Sequence, residues 1–263
     1  MPALYAHDRF GRKVFEKMDG ELYDIISKYY TQFQIGLQGP DIFFFYKAYS
    51  SNRVTKYGYQ LHFLSAAPFF QHAIDIVHEK GRDSREYAYL LGFLCHFVLD
   101  SECHPYVEQM IKETGVGHLE IEEEFEKMLL RKDGKHPLSY PLCELVPTDT
   151  ITAKTIYPFY EHMDPPTIKT ALQHLKFIKW FFTAPGFLHQ ALINLAMKLL
   201  KKEDSYKGLM HLRKDNPKCK QSNIGLYKHF QTAVPLAVEL IYDYDNTINT
   251  GKTLNPRFDR NFE

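Results

Sequence analysis

Long segments of the chain carry apolar residues at helical spacing. In each segment the apolar positions recur three or four residues apart, which places them on one face of a helix. Six segments show the pattern: residues 63–81, 84–100, 118–134, 168–182, 186–202 and 223–248. We find no convincing stretch in which apolar and polar residues alternate, as they do in half-buried strands. The pattern predicts an all-α fold, a multi-helix bundle.

Residues that begin or interrupt helices refine this prediction. Ser84 precedes the second segment, and a serine at that position typically caps a helix. Pro68 and Pro235 lie inside two of the segments. Because proline has no backbone N–H and clashes with the preceding turn, both are expected to kink or break their helices.

Length and composition limit the function classes. The 263 residues contain no linker and no repeat, which predicts a single domain over residues 1–263. Basic and acidic residues number 32 each, so no overall positive charge favours nucleic acid as the main partner. Without a signal peptide or an apolar stretch of membrane-spanning length, the sequence predicts a soluble cytoplasmic protein. Four scattered cysteines predict free thiols: Cys95, Cys103, Cys143 and Cys219.

Two pairs of histidine and carboxylate residues have the spacing of metal ligands. His96 and Asp100 are four residues apart in the second segment, and His118 and Glu122 are four apart in the third. Residues four apart share one face of a helix, so each pair can bind one ion with two ligands. Imidazole and carboxylate are the usual ligands of hydrolytic zinc. The sequence therefore predicts a metal cluster in a cleft between helices.

His104 is four residues after Asp100 and directly precedes Pro105. Because a residue before proline is biased away from helical geometry, we expect the helix to end or kink there. His104 would then leave the face that carries His96 and Asp100. It would join His118 and Glu122 at a neighbouring ion.

A lone histidine on an apolar helix face is more often a structural residue than a ligand, and this alternative applies to each candidate taken singly. The five candidates together favour metal, because so many buried polar groups need compensation. Four further histidines have no second ligand at matching spacing and are interpreted as structural residues of the later helices: His174, His189, His211 and His229.

Three more candidates lie earlier in the chain. These are His7, Asp41 and His62. Gly39 and Pro40 place Asp41 at a turn, where its carboxylate can point into a cleft. Such an aspartate can instead cap a turn or a helix. His72 is an alternative to His62.

The ordered motifs resemble the zinc-dependent phospholipase C family, and most closely its leaderless bacterial branch. They are MPxxYAHxxFG at the start, GPDIFFF from residue 39, HxxxDSxxHP from residue 96 and GHxxIE from residue 117. More distantly, the ligand order is similar to that of single-strand-specific nucleases that bind three zinc ions and share the fold. The resemblance implies a helical phosphodiester hydrolase with two or three zinc ions.

The resemblance also implies which residues bind the first ion. Asp41, His62 and His96 would hold it, and Asp100 would bridge toward its neighbours. No tryptophan stands near the start of the chain, where the secreted relatives have one; Trp180 is the only tryptophan.

The other two ions follow from the same resemblance. His104, His118 and Glu122 would hold the second ion. His7 and Asp100 would hold the third, which the amine and carbonyl of the first residue complete if processing exposes Pro2.

The expected chemistry is attack by a metal-bound hydroxide on phosphorus, with Asp41 orienting or deprotonating the water. Phe43, Phe44, Phe45 and Tyr46 are candidates for the rim of the substrate cleft, and the alternative is that they are buried in the core. The expected substrate is a phospholipid or another phosphodiester, with transient contact to a membrane surface. A single-strand nuclease or nucleotidase is the first alternative, and a non-catalytic metal-stabilised helical protein is the second.

Overall fold

The computed structural model describes residues 3–199 and 207–263 of the chain. Within these residues the protein consists of helices joined by turns, without a strand, which confirms the all-α prediction. None of the described helices is long and apolar enough to cross a membrane. The α-helices of the described part are α1 (Leu4–Phe15), α2 (Gly20–Lys28), α3 (Tyr30–Gly36), α4 (Arg53–Phe63), α5 (Ala67–Lys80), α6 (Arg85–Thr114), α7 (His118–Lys132), α8 (Thr150–Ile156), α9 (Pro165–Phe182), α10 (Phe187–Leu199) and α11 (Cys219–Thr250).

Helix α6 forms the centre of the bundle. Helices α1, α3, α5, α7 and α11 pack against it, and every residue from Tyr87 to Ser101 is buried. A helix that is buried on all sides belongs to the core. The polar residues on this stretch are therefore held in the interior of the protein.

Two glycines allow α3 and α6 to cross with their backbones in contact. A Cβ atom on Gly36 would lie 2.2 Å from the Tyr89 carbonyl oxygen, and one on Gly92 would lie 2.1 Å from the Phe33 carbonyl oxygen. Any side chain at either position would force the helices apart. This crossing places the 3₁₀ turn Gly39–Phe43, which follows α3, against α6.

Of the two predicted outcomes at Pro105, an end of the helix was wrong, because α6 continues through this residue to Thr114. Pro105 cannot donate a hydrogen bond to the carbonyl of Ser101 four residues earlier. The Arg260 guanidinium donates to that carbonyl instead. A side chain from a distant segment thus replaces the missing backbone hydrogen bond.

The other helix boundaries follow local chemistry in most cases. Ser84 caps α6 by accepting a hydrogen bond from the Tyr87 backbone N–H, as predicted. Pro68 breaks its segment, because α5 begins only at Ala67. Pro235 does not break α11, which is continuous around it. Helices α1 to α4 and α8 were not among the predicted segments, and the single-domain organisation stays a prediction.

After α11 the chain returns across the bundle through residues 255–263, which we call the closing segment. Its main chain bonds to the junction of α4 and α5, where the Ala66 N–H donates to the Arg260 carbonyl over 2.9 Å and the Phe262 N–H donates to the His62 carbonyl over 3.1 Å. Arg257 and Arg260 form ion pairs with Glu102 on α6. The closing segment therefore lies beside the histidines of the candidate site.

Candidate metal centre

Four predicted ligands from three parts of the chain meet in the interior. Asp41 comes from the 3₁₀ turn, His62 from α4, and His96 and Asp100 from α6. All four are buried, and one ligand atom from each lies within 4.8 Å of the others. We call these residues the first ligand group. The helical spacing of His96 and Asp100 brings His96 Nε2 to 3.2 Å from Asp100 Oδ2.

Gly39 determines the position of Asp41. Its φ of +48° is a left-handed conformation that favours glycine. A Cβ atom there would also lie 2.3 Å from His96 Cδ2. The turn can therefore approach the His96 ring only because this residue has no side chain.

Backbone carbonyls orient the two histidines of the first ligand group. The Gly58 carbonyl lies 2.8 Å from His62 Nδ1, and the Leu37 carbonyl lies 3.1 Å from His96 Nδ1. Because a carbonyl can only accept, each Nδ1 carries the proton, and each Nε2 is left facing the carboxylates. His62 Nε2 lies 2.9 Å from Asp41 Oδ1. A neutral imidazole and a carboxylate at that distance would repel each other without a proton or a metal ion between them.

The second ligand group consists of His104 from α6 with His118 and Glu122 from α7. Glu122 Oε1 lies 2.7 Å from His118 Nε2 and 3.6 Å from His104 Nε2. His104 and Glu122 are buried, whereas 31% of the His118 side chain is exposed. Among the described ligand residues, His118 is the one that reaches solvent.

Asp100 connects the two ligand groups and also contacts His7. Its Oδ1 lies 3.3 Å from His7 Nε2 and 4.0 Å from His104 Nε2. The ring of His7, on α1, stacks on the ring of His96 at 4.5 Å. The structure thus brings all eight predicted ligands together. Pro2, whose amine and carbonyl were predicted to complete the third ion if processing exposes them, lies outside the described residues.

Two buried carboxylates of the site are ionised in this environment. Burial would raise the pKa of Glu122, but the charge of His118, its hydrogen bond with Glu122 and the nearby His104 ring outweigh burial and lower the pKa to about 2. Burial also opposes ionisation of Asp41, yet His62 and His96 hold the pKa of Asp41 below its ordinary value. Both carboxylates therefore carry negative charge at neutral pH.

The same two effects, burial and neighbouring charge, set the pKa values of the third carboxylate, Asp100, and of the histidines around it. Burial opposes ionisation of Asp100, but His96, His104 and His7 hold its pKa well below the ordinary value. Burial would lower the pKa of His104, but Asp100 and Glu122 raise it to about 10. For His96, burial dominates and lowers the pKa to about 3, which leaves a neutral ring. A protonated His104 ring offsets part of these three buried negative charges, and divalent ions bound to the neutral rings would offset them.

The donor set fits zinc. Its ligands are imidazole nitrogens and carboxylate oxygens, which zinc prefers in hydrolytic sites. His96 Nε2, His104 Nε2 and Glu122 Oε2 are buried and make no hydrogen bond among the described residues. These atoms are therefore available for a metal ion.

The family comparison supports this assignment. A family model described as zinc dependent phospholipase C matches residues 6–206, a range that contains all eight predicted ligands. The chain belongs to the zinc-dependent phospholipase C family. No curated protein and no solved structure matches the chain. As a member of this family the protein is zinc-dependent, and the presence of two or three ions stays a prediction.

Some of the residues predicted to form the rim of the substrate cleft are buried in the core. Phe43 and Phe45 are buried, so they do not form the rim of a cleft, and the alternative of core residues applies to them. Phe44 is half-buried and packs against His62 with the ring centres 4.8 Å apart, and Tyr46 is also half-buried. His72 Nε2 lies 3.0 Å from the Pro158 carbonyl, outside both ligand groups.

The later histidines lie outside both ligand groups. His211 was placed on a helix by the sequence pattern, which was wrong, because it lies in the loop before α11. It is buried there between Glu126 and the Pro137 carbonyl.

The described cysteines form no disulfide, as predicted.

One residue beside the site, Glu263, was missed by the sequence analysis because no motif surrounds it. Its Oε2 atom lies 3.2 Å from His104 Nδ1, while the Nε2 atom of the same ring faces Asp100 and Glu122. A carboxylate on the far nitrogen of a metal-binding histidine orients the ring and increases its basicity. Phe262 packs beside it against His62. The closing segment thus contacts two of the predicted ligands from outside the region that the family model matches.

We expect Glu263→Gln to weaken zinc binding at the second ligand group by about 10- to 100-fold, the usual effect of losing such a partner. Competition with a chromogenic zinc chelator measures the change directly. Glu79→Gln, which removes an exposed carboxylate on α5, serves as the matched control and should bind zinc like the wild type. Equal affinity in the Glu263 variant and the wild type would show that Glu263 does not act on His104.

Proposed function

We propose that the protein hydrolyses phosphodiesters, with phospholipids as its substrate class, and that it acts as a phospholipase C. The observation that carries the proposal is the sharing of Asp100 between two ligand groups, since its carboxylate contacts His96 in one and His104 in the other. Adjacent metal ions suit displacement at phosphorus because both the attacking and the leaving oxygen need stabilisation. Bound zinc would supply an acidified water and positive charge for the phosphoryl oxygens.

Asp41 is the residue that we propose as the general base. Its Oδ1 atom lies 2.9 Å from His62 Nε2, and the 3₁₀ turn places its backbone beside His96. A carboxylate in this position can hold a metal ion with one oxygen and accept the proton of the attacking water with the other. In the overall reaction water adds to phosphorus, the bond between phosphorus and the alcohol oxygen breaks, and the alcohol leaves with a proton. For a phospholipid this alcohol is diacylglycerol.

Access from solvent supports a catalytic site over a purely structural one. His118 is partly exposed, and Glu108, with 49% of its side chain exposed, lies 3.6 Å from His118 Nδ1. A structural zinc site is closed by its protein ligands, whereas a catalytic site leaves a coordination position for water. We propose that substrate enters on the His118 side.

Cytoplasmic location and bacterial origin stay predictions from the sequence.

Asp41→Asn tests the proposed function. We expect hydrolysis of bis-p-nitrophenyl phosphate and of p-nitrophenyl phosphorylcholine to fall by about 10²- to 10⁴-fold, because the amide cannot accept the proton. Elemental analysis should show most of the zinc retained. Asp149→Asn is the matched control: it makes the same change at the cap of α8, where the amide oxygen can still accept from the Thr152 N–H, and should leave turnover unchanged.

Full turnover in the Asp41 variant would mean that another group is the base. A substrate panel with phosphatidylcholine micelles and single-stranded nucleic acid tests the substrate class. Cleavage of nucleic acid without cleavage of lipid would replace the phospholipase by a nuclease. Absence of all phosphodiester hydrolysis in zinc-loaded protein would contradict the proposed function.

A further inference from the structure

Helices α9 and α10 each expose large apolar side chains. Leu188 and Leu199, at the two ends of α10, are 76% and 75% exposed, and Trp180 at the end of α9 is 61% exposed. We call the set the α9–α10 surface. Its members are Phe177, Trp180, Phe181, Phe187, Leu188, Leu192, Leu195 and Leu199.

Helix α10 is apolar on two opposite faces. One face contributes Ile193 and Met197 to a small core that also contains Phe182 and Met210. The other face presents four leucines of the α9–α10 surface, spaced three or four residues apart, to water. A helix that is apolar on both faces is normally covered on both. Exposed apolar surfaces of this kind mark interaction sites.

The charges around this surface favour an anionic partner. Residues 165–202 contain no aspartate or glutamate, although the whole chain has 32 acidic residues, and the charged residues of this segment are six lysines. Lys198 is exposed on α10 itself. Arg213, also exposed, donates to the Pro185 carbonyl just before α10. Aromatic and aliphatic side chains beside lysine and arginine are typical of protein surfaces that lie on anionic lipid.

Helix α9 connects the α9–α10 surface to the metal centre. His174 on α9 accepts a hydrogen bond from the Lys47 N–H over 3.0 Å, in the loop that follows the turn of Asp41. Phe177 and Phe181 lie three and seven residues after His174, on the same side of the helix. A partner bound to these aromatic residues would therefore be held next to the loop that adjoins the site.

We propose that the α9–α10 surface docks the protein on an anionic phospholipid bilayer. The inference rests on the proposed function, because a phospholipase C must reach substrate that is packed in a membrane. The leucines and aromatic rings enter the boundary between head groups and acyl chains, and Lys198 and Arg213 contact the lipid phosphates. Binding therefore depends on both the apolar side chains and the anionic lipid.

The chain carries its own probe for this interaction, because Trp180 is its only tryptophan. We expect its fluorescence emission to shift to shorter wavelength when the zinc-loaded protein is mixed with vesicles of equal parts phosphatidylcholine and phosphatidylglycerol. Leu192→Ser combined with Leu195→Ser should weaken vesicle binding by at least about tenfold, because two leucine side chains would no longer enter the bilayer. Ile224→Ser, which changes an exposed apolar residue of α11, is the matched control and should bind like the wild type.

Hydrolysis of soluble bis-p-nitrophenyl phosphate separates this proposal from the proposed function. The leucine variant should retain wild-type turnover of this soluble diester and lose turnover of vesicle lipid. Absence of both a Trp180 shift and cosedimentation of the wild type with the vesicles would overturn the docking proposal even if soluble diester is cleaved. A Trp180 shift that depends on protein concentration without vesicles, with dimers in sedimentation velocity, would also overturn it by assigning the surface to a second copy of the chain.

Discussion

Removal of zinc is expected to lower the melting temperature of the protein by roughly 10–20 °C. Two sites, each with zinc about a hundredfold above its dissociation constant, stabilise the folded state by about 2.7 kcal/mol per site. For a chain of this size each kcal/mol shifts Tm by about 2–4 °C. The effect should be large because the interior of the metal-free protein contains several ionisable side chains at no more than 3% exposure, namely His7, Asp41, His62, His96, Asp100, His104 and Glu122.

Differential scanning calorimetry with and without a zinc chelator measures this shift. Adding zinc back should restore the original Tm, and adding magnesium should not, because magnesium prefers oxygen ligands and binds imidazole poorly. An unchanged Tm after complete removal of zinc would show that the ligand groups are stable without metal. That result would contradict the expected stabilisation of the folded protein by zinc.

Asp100→Asn is expected to cause the largest loss of any single substitution. The Asp100 carboxylate contacts His7, His96 and His104, so its charge acts on both ligand groups. Loss of an outer-shell partner already weakens metal binding about 10- to 100-fold. Loss of this shared ligand should weaken zinc binding by more than about 100-fold and reduce phosphodiester hydrolysis at least as much.

Zinc content after dialysis and turnover of bis-p-nitrophenyl phosphate are the two measurements for this variant. Asp8→Asn is the matched control, since Asp8 is also buried but bonds to Arg12 and Gln34 instead of the ligands. The control should keep its zinc and its activity. Wild-type zinc content in Asp100→Asn would mean that the two groups bind metal without a shared carboxylate.

The part of the site that depends on helical spacing could be predicted from the sequence. His96 with Asp100 and His118 with Glu122 are four residues apart, and the structure places each pair in contact. The grouping of His104 with α7 was also predicted, but for a wrong reason. His104 stays on a continuous helix, and the approach of α7 brings Glu122 to it.

The features that the sequence analysis did not predict depend on contacts between distant segments, which no local pattern encodes. Proline rules predict a helix end at Pro105, and the contact that prevents this comes from Arg260. The crossing at Gly36 and Gly92 is visible only when α3 and α6 are seen together. Glu263 has no motif around it, and its role appears only through its contact with His104.

The closing segment also sets an order of events during synthesis. All eight zinc ligands are made before residue 123, whereas Arg260 and Glu263 emerge after more than half of the chain has followed. A nascent chain can therefore bind zinc through His104 before any carboxylate supports the far side of that ring. Contacts between residues so far apart in sequence form late, because a long loop must close first. We therefore expect the tightest zinc binding only after the closing segment has docked, so that metal retention would report on the formation of this contact.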